Sequence, residues 1–296
     1  MNVKIRVVKD FNKEEQLKLK ELGIQVETGW DAFEIDEKNP IISNVKSIFD
    51  RNWDSIIQRE ASFSEKDRTL APYLNIWSNK MLGYAKPDVE DEVDGYSYPF
   101  DIYPYYKDIF EVENTDENYG LLRGKQIGLY SLEGEPKWGK NGIASANYIE
   151  DAFFVTPEIY ESIFKPLNIN YLPVLNYKTG KNLKTVVQLL QQGISQSKLN
   201  INNSQIKEAI TVKKWDLRKY ILKNDDYYPS FINSPEGLDF FYTQEYFGDG
   251  GYNQRNTIIS QKLYQILKNN HIKGLTYYPQ KADVHQDLEQ KHSWIL

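Results

Sequence analysis

The chain has 296 residues, of which 40% are apolar and 14% aromatic, so it can bury one large core or two of ordinary size, and global disorder is excluded. It contains no cysteine, which excludes disulfide bonds, thiolate nucleophiles and cysteine-ligated zinc. The net charge is −6 and there is no dense Lys or Arg face, so the sequence argues against binding to nucleic-acid phosphates.

The N-terminal sequence MNVKIRVVKDFNKEEQ has no apolar segment of the kind that a signal peptide requires. No run of about 18 apolar residues follows it, so a membrane-spanning helix is not predicted. We therefore expect a cytoplasmic protein without membrane contact.

Residues 1–87 predict an N-terminal α+β region. VKIRVV alternates as a strand does, and the charged segment after it has the apolar spacing of a helix closed by a glycine. A second amphipathic helix is predicted after Asn39, and Ser64 with Asp67 has the spacing of a helix-capping pair.

Residues 88–120 form an acidic, tyrosine-rich connector. The strip 88–117, DVEDEVDGYSYPFDIYPYYKDIFEVENTDE, contains 11 Asp or Glu residues and a single Lys, a net charge of −10. The other residues carry 35 basic and 31 acidic side chains, a net charge of +4, so the acidity of this protein is local. Pro99 and Pro104 favour an edge or a loop over a central strand.

Residues 121–296 predict a C-terminal α+β region with an approximate internal repeat. FFVTPEIYESIFKPLNINYLPV (153–174) parallels TIISQKLYQILKNNHIKGLTYYPQ (257–280), and each copy has a hydroxyl cap, Thr156 or Ser260, before an apolar helix face. The repeat predicts two strand–helix–strand units as paired halves around one sheet.

The order of these elements predicts an α+β fold with mixed sheets and short helices. Residues 183–192, LKTVVQLLQQ, can form a buried strand or a short helix, and the central valines favour the strand.

Motifs for known chemistries are weak in this sequence. The spacing of Asp283, His285 and His292 matches no standard metal-ligand pattern, and His271 has no nucleophile signature beside it. FGDGGYNQR (247–255) lacks the Lys-Ser/Thr of a phosphate-binding loop, and no G-x-S-x-G elbow is present. DVEDEVDG does not have the ligand spacing of a calcium loop. No catalytic residue, metal or cofactor is therefore predicted.

The acidic strip has two interpretations that stay open. As a recognition surface, its tyrosines supply rigid contact area and its carboxylates steer a basic partner. Alternatively, it is a solvated acidic loop with tyrosines packed underneath. The candidate partner-binding residues are Asp91, Glu92, Asp94, Tyr96, Tyr98, Tyr103, Tyr105 and Tyr106.

The segment SEKDRTLAPYLNIWSNKMLGYAKPDVEDE (64–92) resembles the double-CXXCG family of bacterial proteins in its helix, its Tyr-Leu pair and its Gly-Tyr-x-x-Pro turn at Gly83. The two strand–helix–strand segments resemble units of that family and of the related immunity proteins of bacterial polymorphic toxins. The chain departs from the family because it has no cysteine. FDIYPYYKDIF (100–110) carries tyrosines where the first CXXCG zinc-ribbon knuckle of the family would fall. No zinc role is therefore transferred.

This resemblance implies a non-catalytic protein-binding module of the immunity type. Such a protein neutralises a bacterial toxin by occlusion, with the acidic strip covering a basic toxin domain. The alternative is an enzyme of unrecognised class with its site between the two halves.

Overall fold

The structure, a computed structural model, describes residues 2–84, 108–114, 121–147, 149–201, 206–212, 217–222, 229–235, 237–248 and 254–280. These residues form two units: the first extends to Leu70 and the second begins at Ala71. Both units combine sheets with short helices, which confirms the predicted α+β class.

The first unit contains a three-stranded antiparallel sheet covered by short helices. Its strands are β1 (Asn2–Phe11), β2 (Gly29–Asp36) and β3 (Ile57–Ser62) in the order β2-β1-β3, and its helices are α1 (Lys13–Glu21), α2 (Ile42–Phe49) and α3 (Glu65–Leu70), with a 3-10 turn at Asp50–Ser55. The alternation in β1 buries Ile5 and Val7 completely. Their core also holds Phe49, whose ring stacks on Trp53 with centroids 6.1 Å apart.

Side-chain caps begin two of these helices. Asn12 accepts a hydrogen bond from the Glu15 backbone N–H, and the Glu15 carboxylate accepts one from the Asn12 N–H, which completes a capping box. The predicted pair at α3 is confirmed, because Asp67 accepts from the Ser64 N–H and the Ser64 hydroxyl accepts from the Asp67 N–H.

The second unit contains two six-stranded sheets. Sheet I has the order β5-β9-β10-β12-β11-β8 and sheet II the order β13-β14-β15-β16-β4-β17. Their strands are β4 (Tyr73–Ser78), β5 (Met81–Tyr84), β8 (Ser131–Leu132), β9 (Ile143–Asn147), β10 (Ile149–Val155), β11 (Tyr171–Asn176), β12 (Asn182–Leu189), β13 (Ile206–Val212), β14 (Leu217–Leu222), β15 (Phe240–Phe247), β16 (Gln254–Ser260) and β17 (Leu275–Gln280), and a separate hairpin joins β6 (Phe110–Asn114) to β7 (Leu121–Gln126). The strand predicted within residues 183–192 is confirmed as β12.

The two segments of the predicted internal repeat form similar structures, one in each six-stranded sheet. The first copy runs from β10 through α4 (Pro157–Ile159), a π-helical turn (Tyr160–Phe164) and a 3-10 turn (Lys165–Leu167) to β11. The second copy runs from β16 through α5 (Gln261–Asn269) to β17. In each copy the two strands flank one antiparallel strand, β12 or β4.

The hydroxyl caps and the aromatic contacts repeat as well. Thr156 accepts a hydrogen bond from the Ile159 N–H, and Ser260 accepts one from the Leu263 N–H. Tyr160 packs edge-on against Tyr171 with ring centroids 4.6 Å apart, and Tyr264 packs against Tyr277 at 4.9 Å. The left-handed residue that ends the helix comes one position later in the first copy, at Asn168 rather than at His271. The π-helical turn accommodates that extra residue.

The prediction that both copies surround one sheet is wrong. Each copy belongs to its own sheet, and the helical segments pack their apolar faces into a core that both sheets share. Phe153 of sheet I, Phe240 of sheet II and Phe164 of the π-helical turn meet there. A helix with one apolar face needs only a neighbouring apolar surface, and two facing sheets provide it as well as one sheet does.

The boundary between the units differs from the predicted one at residue 87. Residues 71–84 belong to the second unit because β4 pairs with β16 and β17, and β5 pairs with β9. In the part of the chain that the structure describes, every helix is too short or too polar to cross a membrane.

Candidate functional site

The predicted partner-binding residues lie outside the described residues. They are Asp91, Glu92, Asp94, Tyr96, Tyr98, Tyr103, Tyr105 and Tyr106. The segment DVEDEVDG, Asp283, His285 and His292 also lie outside them. Across the described ranges, three or more His, Cys, Asp or Glu side chains do not cluster as metal ligands would.

The described residues on both sides of positions 85–107 contact one hydrophobic cluster. Tyr84 ends β5 on one side of residues 85–107, and Ile109 and Phe110 follow on the other side. Ile109 and Phe110 are buried, and Tyr84 packs against the same cluster. The Phe110 ring lies 5.8 Å from that of Tyr130, which in turn lies 5.5 Å from Phe154. Sheet I therefore anchors the chain on both sides of the strip's central part.

Sheet I also contains a groove between its two edge strands. The sheet curves so that Cα atoms of β5 and β8, at opposite ends of the strand order, come within 8 Å of each other. The groove between them has a volume of about 530 Å³. The described residues that line it are Leu82, Gly83, Tyr84, Leu132, Glu133, Gly134, Glu135, Pro136, Lys137, Asn147 and Lys178.

The floor of the groove is apolar. Leu132 is buried in the cluster that holds Phe110 and Tyr130, and Leu82 and Tyr84 pack against that cluster. Gly83 has a φ of +99°, and no heavy atom lies within 4 Å of the position that a Cβ would occupy there. This backbone conformation favours glycine, and it leaves the β5 side of the groove open.

The charged side chains on the rim differ in the contacts that they make with other described residues. The Glu135 carboxylate accepts hydrogen bonds from the Lys184 and Thr185 N–H groups at 2.8 and 2.9 Å and from the Thr185 hydroxyl. Burial acts to raise the pKa of Glu135, but these hydrogen bonds from Thr185 and Lys184 hold the pKa below its ordinary value. Lys137 and Lys178 have no carboxylate within 4.0 Å among the described residues.

A second notable feature is the face of sheet II that points away from the shared core. Leu74 and Ile76 of β4 lie in that core, so the alternate residues of β4 lie on the other face. Several buried polar atoms on sheet II have no hydrogen-bond partner among the described residues, namely both amide atoms of Asn75, Trp77 Nε1, Glu245 Oε2, Gln254 Oε1, Asn256 Nδ2 and Gln280 Oε1. Burial raises the pKa of Glu245, and its other carboxylate oxygen accepts the Leu199 N–H at 3.0 Å.

The internal repeat gives Asn75 a counterpart in sheet I. Asn75 pairs in register with Ile258 and Tyr278, and Gln188 pairs in the same way with Phe154 and Leu172. Gln188 is buried and exchanges two amide hydrogen bonds with Gln126 of β7, at 3.0 and 2.8 Å. At the same structural position, the side chain of Gln188 is hydrogen-bonded, whereas that of Asn75 has no hydrogen-bond partner among the described residues.

This difference predicts unequal effects of the same apolar substitution. Gln188→Leu should lower the free energy of unfolding by about 1–3 kcal/mol, because Gln126 Oε1 loses its donor, and Gln126 Nε2 keeps only its hydrogen bond to the Gly128 carbonyl. Asn75→Leu should cost less, or stabilise, because it removes from a buried position two polar atoms that have no partner in the described part of the chain. Urea denaturation of both variants measures the difference. The double variant Gln126→Leu/Gln188→Leu should recover part of the loss, and a larger loss for Asn75→Leu would contradict the prediction.

The groove was not predicted from the sequence. Its residues come from two short segments, 82–84 and 132–137, and from single positions far along the chain. The run EGEPK at 133–137 indicates a turn, but no local pattern shows that β8 and β5 approach each other.

Comparison of the chain with protein-family models, with curated proteins and with solved structures gives no match. The resemblance to the double-CXXCG family and to toxin-immunity proteins therefore stays a prediction.

Proposed function

We propose that the chain is a non-catalytic protein-binding module of the immunity type. It neutralises a bacterial toxin in the cytoplasm by covering a basic surface of the toxin domain. The acidic strip supplies the contact surface, and no cofactor takes part.

The proposal rests on the local charge of one segment and on the packing of the described residues beside its central part. Residues 88–117 have a net charge of −10, whereas the rest of the chain has a net charge of +4. Tyr84 on one side and Ile109 with Phe110 on the other pack on the same cluster of sheet I. The described residues on both sides of positions 85–107 are therefore held on one cluster of the second unit.

Such a surface suits recognition of a basic protein. Clustered carboxylates attract a positively charged partner and raise its association rate, and the gain falls as the salt concentration rises. Tyrosines supply large, rigid contacts at a low cost in conformational entropy. The carboxylates thus favour rapid encounter, and the tyrosines prolong the complex.

An enzyme of unrecognised class is the weaker candidate. Glu245 is a described carboxyl group with a raised pKa, a property that suits acid–base chemistry. Its side chain is buried, however, and one of its oxygens is bonded to the Leu199 backbone. A binding function needs no such buried group, and we therefore prefer it.

The test uses the purified chain and the purified domain encoded by the gene beside its own. The variant Asp91→Asn/Glu92→Gln/Asp94→Asn removes three charges from the strip and should slow association at least about 10-fold at low salt. It should also flatten the salt dependence of the association rate. Tyr98→Ala should act mainly on the dissociation rate. Biolayer interferometry at two salt concentrations measures both rates.

A matched variant removes three charges elsewhere. Glu14→Gln/Glu60→Gln/Glu161→Gln changes exposed carboxylates outside the strip, and it should leave the association rate nearly unchanged. Equal slowing by both triple variants would show a general charge effect. No binding by the unaltered chain, or binding that the strip variant leaves intact, would refute the role of the strip.

A further inference from the structure

We propose that the face of the three-stranded sheet opposite its helices is a second contact surface for a basic partner protein. An arginine side chain of that partner lies between the Trp30 ring and the Asp10 carboxylate. The inference rests on the proposed function for the identity of the partner. It deepens that function because it gives the first unit a contact of its own, with one aromatic anchor.

This face, called the open face below, is formed by alternate residues of the three strands. Ile5 of β1 lies in the core together with residues of α1 and α2, so the positions on either side of it point to the other side of the sheet. The open face therefore includes every second residue from Lys4 to Asp10, with their partners from Trp30 to Asp36 in β2. Val8 and Ala32 are half-buried, whereas Trp30 and the charged side chains are exposed. The open face thus presents an apolar row next to Trp30, with charges around it.

Trp30 is the anchor of this surface. Its side chain is 80% exposed, more than any other large apolar side chain that the structure describes. The Asp31 carboxylate accepts the Glu27 and Ala32 N–H groups, both at 2.8 Å, and these hydrogen bonds hold the pKa of Asp31 below its ordinary value. The backbone on both sides of Trp30 is thus fixed before a partner binds. An exposed indole on a fixed backbone supplies a large contact area at a low cost in entropy.

Asp10 lies directly opposite Trp30 in the antiparallel pairing of β1 and β2. Side chains at such positions have Cβ atoms about 4.5–5.5 Å apart. Among the described cations, none forms an ion pair with Asp10 and none lies over the Trp30 ring. An arginine guanidinium can stack on an indole while its N–H groups pair with a carboxylate. The two side chains together therefore fit an arginine.

The charges of the open face sum to a negative value. Its two basic side chains are Lys4 and Arg6 and its four acidic ones are Asp10, Glu34, Asp36 and Glu60, a net charge of −2. Lys4 is paired with Glu34 at 3.3 Å. Arg6 lies four residues from Asp10 along β1, or about 13 Å, which exceeds the screening length at physiological salt. A cation that reaches Trp30 therefore meets Asp10 with little repulsion from the two basic residues.

The same charge distinguishes the kinds of partner. A nucleic acid or an anionic membrane would bring phosphates to a face that is already negative. A second copy of the chain would place one acidic face on another, and like charges across an interface cost free energy. A basic protein is attracted instead, as it is by the acidic strip. The open face and the strip therefore select the same kind of partner.

The first test locates a basic ligand on the open face. The probe is an eight-residue peptide of alternating arginine and threonine, added to the full chain labelled with fluorotryptophan. The chain has six tryptophans, and comparison with Trp30→Phe identifies the Trp30 resonance by fluorine NMR. The strip contains no tryptophan, so this resonance reports on the open face. The arginine peptide should shift it, whereas a peptide with glutamate in place of arginine should not.

The charge contact is tested with the Trp30 resonance kept as the reporter. Asp10→Asn should raise the peptide concentration at half of the shift about 2- to 5-fold, because an exposed ion pair is lost. Glu21→Gln, which removes an exposed carboxylate at the end of α1, should leave that concentration unchanged. Absence of a shift, or equal concentrations for Asp10→Asn and the unaltered chain, would overturn the inference.

The anchor is tested in the complex with the purified toxin domain. Trp30→Ala should raise the dissociation rate at least about 10-fold, because aromatic anchors carry much of the binding free energy. Leu17→Ala is the control, since Leu17 is an exposed apolar residue on α1 at the helix side of the sheet, and it should change the rate little. Sedimentation equilibrium of the chain alone should give a monomer. A dimer that Trp30→Ala separates would assign the open face to a second copy and overturn the inference.

These outcomes can be separated from those for the proposed function. If the strip variant Asp91→Asn/Glu92→Gln/Asp94→Asn slows association but Trp30→Ala leaves dissociation unchanged, the open-face inference fails and the proposed function stands. If the peptide results hold while no basic toxin domain binds, the open face stands as a site for basic segments and the proposed function fails.

Discussion

Replacement of Phe240 by alanine is expected to lower the free energy of unfolding of the second unit by about 3–5 kcal/mol. The Phe240 side chain is 1% exposed and packs against Phe153 at 5.9 Å and Phe164 at 6.4 Å between ring centroids. These rings come from sheet II, sheet I and the π-helical turn. Loss of the central ring leaves a cavity that cannot collapse unless two sheets and a helical segment move together.

Urea denaturation followed by circular dichroism measures this loss. Ile232→Ala is the control, because Ile232 is 62% exposed in the same unit and its truncation should cost no more than about 0.5 kcal/mol. A loss for Phe240→Ala as small as that of the control would contradict the shared core.

Gly274→Ala is expected to lower the free energy of unfolding by about 2–6 kcal/mol, from backbone strain and overpacking together. Gly274 has a φ of +115°, which L-residues rarely adopt, and a Cβ there would lie 2.0 Å from the Ile143 carbonyl oxygen. The neighbouring Lys273 carbonyl accepts the Gly142 and Ile143 N–H groups at 2.8 and 3.2 Å. The methyl group would therefore push β9 away from the start of β17.

Two other glycines separate these contributions. A Cβ at Gly128 would lie 2.0 Å from the Asp108 carbonyl oxygen, but its backbone is not in the left-handed region. Gly180 has a φ of +65°, and no heavy atom lies within 4 Å of its Cβ position. Gly128→Ala thus measures overpacking alone and Gly180→Ala measures strain alone. If Gly274→Ala lowers the free energy of unfolding no more than Gly128→Ala or Gly180→Ala does, the predicted clash between a Cβ at position 274 and the Ile143 carbonyl is refuted.

The helix caps can be predicted from the sequence because they depend on residues that are a few positions apart. Ser64 with Asp67 forms the predicted cap, and Thr156 and Ser260 begin equivalent helices. The repeat can be recognised in the sequence because each copy contains the same order of strand, cap, helix and strand within about 22 residues. By contrast, IQV at 24–26 has the composition of a strand but does not form one. The Ile24 N–H donates to the Leu19 carbonyl and the Val26 carbonyl accepts from the Gln16 side chain, so contacts with α1 use these backbone groups instead.

The pairing of strands is decided by contacts far apart in the chain. β4 lies between β16 and β17, although more than 170 residues separate them in sequence. Composition does not specify which apolar strand will lie beside which, because the free energy of pairing comes from packing and register in the complete sheet. For this reason the sequence predicted that both repeat copies surround one sheet, whereas each copy belongs to a sheet of its own.

The acidic strip can be recognised from the sequence, whereas the groove can be recognised only from the tertiary structure. Charge and aromatic content are properties of composition, so the sequence by itself determined the −10 strip, the absence of thiol chemistry, the α+β class and the two repeated units. Only the tertiary structure decided that Tyr84 and Phe110 meet on one cluster and that the edges β5 and β8 approach each other. Sheet curvature brings those edges together, and curvature arises from the twist and packing of all six strands rather than from any one segment.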